Sequence, residues 1–146
     1  MTTITKRMKP VMFAAFASTF MLGSAFADAH LNGDAAKGEK LFKKCATCHK
    51  VGPDAKNGVG PQLNGIVGRA AASIEDYKYG KSLKAAAEQG LVWDEAELFA
   101  YLKNPKKYLR EKLDDKKAKS KMALKVKKED QRADIIAYLK TFAAPE

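Results

Sequence analysis

The chain has 146 residues, with 27 Lys and Arg against 17 Asp and Glu, a formal net charge of +10. That length holds one domain, and so basic a balance speaks to partners and solubility rather than to fold. Nucleic acid is one partner for such a cation, but an export signal at the N-terminus argues against it and leaves an acidic protein surface as the target.

Residues 1–27 read as that signal. Lys6, Arg7 and Lys9 make a positive start, Val11 to Phe26 is an apolar run, and Ala25-Phe26-Ala27 followed by Asp28 is an A-x-A cleavage pattern. An uncleaved membrane anchor is the alternative. The run is at the short limit for a span and has no basic residues directly after it, so a cleaved signal peptide over 1–27 is expected. No membrane anchor then remains after processing. The expected mature domain is 28–146, and because the leader carries three basic residues and no acid, the balance there is 24 against 17, or +7.

Asp34 is a good N-cap, and a short helix is predicted from it into the stretch Cys45-Ala46-Thr47-Cys48-His49. Gly38, Leu41, Phe42 and Cys45 mark its inner face, and a glycine at that point, costing about 1 kcal/mol against alanine, predicts a close packing partner. Both cysteines of the chain and one of its two histidines lie in this stretch. C-x-x-C-H is the attachment signature of c-type haem. On a helical turn, Cys45 and Cys48 point the same way and His49 follows one step round. Two thiols can then add to the two vinyl groups of one porphyrin while the adjacent imidazole reaches the iron as proximal ligand. A structural zinc site needs four ligands and finds only His30 beyond these three. A thioredoxin-like dithiol would need a βαβ setting, and a plain disulfide leaves His49 unexplained.

From Lys50 to Ile74 no period holds. Glycines and prolines punctuate it, with Val59, Leu63, Ile66 and Val67 between, which predicts a packed loop wrapped against something hydrophobic. The porphyrin is the candidate. Ser82 to Gln89 reads as a short Ala-rich helix stopped by Gly90. After Trp93, the only tryptophan, Asp94-x-x-Glu97 resembles a capping box opening a helix that ends before Pro105. Pro105 then begins another, through Leu113, with Asn104 as its cap. The last runs from Glu129 to Phe142, with Ile135, Tyr138, Leu139 and Phe142 on one face. The mature chain is therefore expected to be all-α: short helices and long loops around one core.

Once the leader is removed, Met122 is the only methionine. A lone methionine is usually core filler. Lys119, Ser120, Lys121 and Lys125 surround this one with polarity, so it lies on no apolar helix face, and it is expected to be the sixth ligand of the iron. A Met/His pair raises the reduction potential. His30 is the rival for a bis-His site, but it lies at the frayed mature N-terminus.

Taken together, these residues resemble a class I cytochrome c, and within it the bacterial cytochrome c2 and c550 group, from Gly33 to Ala143. Gly60-Pro61-Gln62-Leu63-Asn64-Gly65 is similar to the family loop whose proline carbonyl accepts a hydrogen bond from the ligand histidine, which implies a contact from His49 to Pro61. Tyr101 to Tyr108 is similar to two family helices and implies that Tyr101 sits near the Met122 sulfur. Lys121 to Lys125 resembles the ligand loop, and Arg132 to Leu139 the C-terminal helix, crossing the first helix at Gly38 and Phe42. Arg69, Tyr79 and Trp93 match positions that hold the inner haem propionates. The 13 residues between Tyr108 and Met122 form an insertion, a feature of the larger c2 proteins.

The resemblance implies a class I cytochrome c fold around one covalently bound haem c. It implies a soluble, monomeric, periplasmic one-electron carrier, not an enzyme. Its partners would be a cytochrome bc1 complex as donor and a terminal oxidase or photosynthetic reaction centre as acceptor. The alternative is a haem enzyme or gas sensor with an open sixth position, for which the chain offers only His30 as a spare histidine. Seven lysines and no acid lie between Lys116 and Lys128. A solvated charged face is the ordinary reading of such a run. Because it straddles Met122, Lys119, Lys121 and Lys125 are expected to dock an acidic partner at the crevice rim, whereas Lys37 and Lys140 should matter much less.

Overall fold

The computed structural model describes residues 32–142. The expected signal peptide, its cleavage point and His30 lie outside the described residues. In chain order the elements are α1 (Ala35–Phe42), β1 (Arg69–Ala70), α2 (Lys81–Glu88), β2 (Val92–Trp93), α3 (Glu95–Lys103), α4 (Pro105–Lys112) and α5 (Glu129–Leu139). Among the described residues, no helix is long and apolar enough to cross a membrane.

Helix α1 starts where its cap predicts, the Asp34 carboxylate accepting from the amides of Ala36 (2.9 Å) and Lys37 (3.1 Å). The Asp34 amide in turn donates to Asp134 Oδ1 at 2.7 Å, which fastens the start of α1 to α5. These two helices touch backbone to backbone. A Cβ on Gly38 would lie 2.0 Å from the Asp134 carbonyl oxygen and 2.7 Å from the Tyr138 Cβ, so no other residue fits. The propensity lost at Gly38 is offset by this approach, which also stacks Phe42 on Tyr138 with ring centroids 5.3 Å apart.

Helix α3 opens on Asp94, whose carboxylate accepts from the Glu97 amide at 2.7 Å. The box is only half made. The Glu97 carboxylate accepts instead from the Tyr108 hydroxyl and from Lys112, both on α4, and so joins the two helices. Asn104 caps α4, accepting from the Lys107 amide at 3.2 Å with Pro105 in the first turn. Helix α5 stops at Leu139, one turn earlier than predicted. Phe142 still packs on Tyr138, and its carbonyl accepts from the Gly65 amide at 2.8 Å.

The β pair is the one element type the periodicity did not predict. Arg69 pairs with Trp93 and Ala70 with Val92, antiparallel. Two residues per strand carry no alternation to read, but the ladder sets Arg69 beside Trp93 across a separation of 24 positions. The insertion is folded: it completes α4 and then turns at Asp114, whose φ is +47°. Ala118 is buried there, its carbonyl accepting from Arg110 Nε at 3.3 Å.

Candidate functional site

The C-x-x-C-H stretch is not a continuation of α1, as predicted, but a run of tight turns after it. Cys45 N donates to Phe42 O at 2.7 Å, Cys48 N to Cys45 O at 3.0 Å, and His49 N to Cys45 O at 2.9 Å. The turns bring Cys45, Cys48 and His49 onto the wall of one cavity of about 360 Å³, and Met122 lies on the wall of the same cavity.

His49 Nδ1 lies 2.7 Å from the carbonyl oxygen of Pro61. A carbonyl only accepts, so Nδ1 carries the proton and Nε2 keeps the free lone pair. Gly60 makes room for this. A Cβ there would lie 2.4 Å from the imidazole Cε1. Burial holds the imidazole below its usual pKa; the Pro61 bond partly opposes that, and the nearby Arg69 charge adds to it. The ring is therefore neutral and ready to ligate near neutral pH. Burial likewise pushes the Cys45 thiol up, with the neighbouring Cys48 adding to the effect.

The remaining predicted cavity residues also line it: Pro61, Arg69, Tyr79, Trp93 and Tyr101. Arg69 is half-buried and spends two donors on its own loop, Nη1 to Asn64 O at 2.8 Å and Nη2 to Gln62 O at 3.0 Å. Burial pushes the Tyr79 and Tyr101 hydroxyls up. Trp93 stacks against Tyr101 with centroids 4.8 Å apart. The Tyr101 hydroxyl is 3.4 Å from Ser120 Oγ, which accepts from the Met122 amide (3.1 Å) and donates to the Met122 carbonyl (2.9 Å). Tyr101 thus reaches the methionine segment through Ser120.

Of the three predicted docking lysines, Lys119 and Lys121 line the cavity and Lys125 does not. Lys125 borders an adjoining cleft of about 210 Å³. Lys121 donates to the carbonyl of Lys78, tying the 77–80 loop to the methionine segment. Two residues of this rim were not singled out from the sequence. Lys44 and the 37%-exposed Leu124 border both hollows, bringing one more cation and an apolar contact to the rim. The position of Lys44 directly before Cys45 was the available signal.

The family model for cytochrome c matches residues 35–143. The chain belongs to the cytochrome c family. Among its relatives, it is similar to a cytochrome c2 of Rhodospirillum rubrum, at 47% identity over 89% of this chain and 92% of that one. It is also similar to a cytochrome c-550 of Paracoccus versutus, at 43% identity over 90% and 88%. The solved cytochrome c2 of Rhodospirillum centenum superposes with a TM-score of 0.73 at 44% identity, covering 77% of this chain and all of that one. The expected class I fold therefore stands, and with it an electron carrier rather than an enzyme, carrying covalent haem c. The cavity of this cytochrome fits that group: apolar walls, two thiols, an imidazole with its lone pair on Nε2, a thioether, and a glycine in place of any side chain against the imidazole.

Proposed function

We propose that this cytochrome is a soluble periplasmic one-electron carrier of the c2 type, with Cys45 and Cys48 holding the haem and His49 and Met122 as the two axial ligands. The observation that carries the reading is that all four side chains line one cavity. The haem supplies reversible one-electron chemistry between ferric and ferrous iron. His49 binds through Nε2 while Pro61 fixes its ring and raises its basicity. Met122, on the wall of the same cavity, would hold the iron through its thioether, a soft sulfur that favours the ferrous state. Trp93, Tyr101 and the Ile66 wall would exclude water, and Arg69, Tyr79 and Trp93, which line the same cavity, would hold the inner propionates.

The donor is a quinol-oxidising cytochrome bc1 complex and the acceptor a terminal oxidase or photosynthetic reaction centre, each presenting an acidic surface to Lys119, Lys121 and Lys125. The protein acts as a monomer, cleaved after Ala27, so the mass of the mature chain should begin at Asp28 and include one haem retained on acid denaturation. Purified partners test the function: rapid reduction by the bc1 complex and rapid oxidation by one of the acceptors are expected, both slowing with salt. Failure to exchange electrons with any of them at low salt would overturn the assignment.

A further inference from the structure

Seven lysines crowd the methionine segment, yet the cation that grips its backbone from inside is none of them. Arg132, in the first half of α5, is 1% exposed. Its Nη1 donates to the carbonyls of Val126 (3.0 Å) and Lys127 (2.8 Å), and its guanidinium carbon lies 4.1 Å from the centre of the Phe99 ring on α3. The carboxylate nearest it among the described residues is that of Glu129, 59% exposed and 3.5 Å from Nη2, while Nε is buried with no acceptor among them. A buried cation held mainly by carbonyls and a ring face, with one donor unspent, is a poor way to add net stability; apolar residues of similar volume commonly do as well. Its geometry serves the segment instead.

The segment is pinned at two points. Upstream, Ser120 binds both backbone groups of Met122, and the Lys119 amide donates to Ser82 Oγ at 3.0 Å. Downstream, the Val126 amide donates to Leu102 O at 2.8 Å and its carbonyl accepts from Arg132. Between the pins, Ala123, Leu124 and Lys125 make no hydrogen bond among the described residues. With both ends fixed, that short span cannot carry Met122 far. Without Arg132 the carbonyls of Val126 and Lys127 lose their donor and the Val126 amide bond to Leu102 is the downstream tie that remains, so the chain between it and α5 gains slack, and the entropy available to a displaced methionine rises with the freed length.

We infer that Arg132 is a positioning residue for Met122: by holding Val126 and Lys127 it fixes the downstream end of the segment and so sets how readily another ligand displaces the thioether. The inference rests on Met122 being the sixth iron ligand, as proposed above. Lys at this position keeps the charge but cannot hold two carbonyls with a planar fork; Met keeps the apolar stem and loses the donors.

The test uses the haem-loaded protein as wild type, Arg132→Lys, Arg132→Met and, as a control for general destabilisation, Ile136→Ala, which truncates a side chain 1% exposed on the same helix. Imidazole is titrated into each ferric form while the sulfur-to-iron charge-transfer band is followed, and denaturant midpoints are recorded in parallel. Imidazole affinity should rise roughly tenfold in Arg132→Met, equivalent to about 1.4 kcal/mol, and by less in Arg132→Lys. It should stay within about twofold in Ile136→Ala even where that variant is the less stable. Unchanged affinity in the Arg132 variants, or an equal rise in Ile136→Ala, would overturn the positioning role while leaving Met122 as ligand. Should Arg132→Met not accumulate, the Lys variant decides by the same readout. A wild type without the sulfur band would overturn the ligand assignment itself, and the positioning role with it.

Discussion

Single side chains decide what the iron in this site can do. The C-x-x-C-H stretch stood out because three rare residues are fixed together, and Met122 because it is the only methionine after residue 27; the structure sets all four side chains on the wall of one cavity. The hydrogen bond from His49 to Pro61 was legible only by family resemblance, since nothing in the spacing brings residues 12 apart into contact. That Arg69 gives its donors to Gln62 and Asn64, and that Gly60 makes room for the imidazole, are facts of loop conformation with no periodic signal. Met122→Ala should open the iron to imidazole and lower the reduction potential, while His30→Ala should do neither; an unchanged spectrum in the Met122 variant would contradict its role. Gly60→Ala should push on the His49 ring, and a perturbed haem spectrum in an otherwise folded protein is the expected sign.

Among the elements, the starts of α1, α3 and α4 were read correctly because Asp34, Asp94 and Asn104 are chemically specific caps. Helix ends were read less well. The C-terminal ends of α1 and α5 fall where tight turns take over, and apolar spacing persists through those turns. The crossing of α1 and α5 makes a sharp prediction. Gly38→Ala places a methyl 2.0 Å from the Asp134 carbonyl, so it should destabilise by about 3 kcal/mol, the upper end of overpacking, although alanine is the better helix former. Denaturant unfolding measures it.

The link between α3 and α4 makes a prediction about pH. Burial raises the Glu97 carboxyl, but its bonds from Lys112 and Tyr108 outweigh that and hold it below its usual pKa. Burial and the Glu97 carboxylate push the Tyr108 hydroxyl far up. The depressed carboxyl contributes stability above pH 4.5 that is lost as pH falls through its folded value. The raised phenol contributes stability that is present below pH 10 and declines above it, as the unfolded chain ionises first. Glu97→Gln should therefore flatten the acid limb of stability and Tyr108→Phe the alkaline limb, both read by unfolding midpoints across pH.

At the scale of the molecule, the charge distribution carries the docking account. Steering by a rim of lysines can raise association rates by roughly ten- to a thousandfold and fades with salt. Charge reversal at Lys119 or Lys125 should slow reaction with an acidic partner at low salt without altering the optical spectrum, and Lys44 is expected to behave as they do. Lys121 is a less clean probe than its exposure suggests, because its ammonium also holds the Lys78 carbonyl. Lys140, expected from its sequence position to be a neutral control, is paired with Glu95 on α3, so its reversal breaks an interhelical ion pair. Lys37, whose ammonium has an exposed contact to Asp34 at 3.6 Å and no other ion pair among the described residues, is the better control. Equal slowing at the rim and at Lys37 would reduce the lysines to a solvated surface.

The proposed carrier needs a closed iron, one that His49 and Met122 would hold between them with no position left for a substrate. Carbon monoxide added to the native ferrous protein tests this most directly. The difference spectrum should remain flat near neutral pH and develop only in Met122→Ala. Ready binding of carbon monoxide by the native protein would contradict the electron-carrier site and favour an open haem that binds or transforms a ligand.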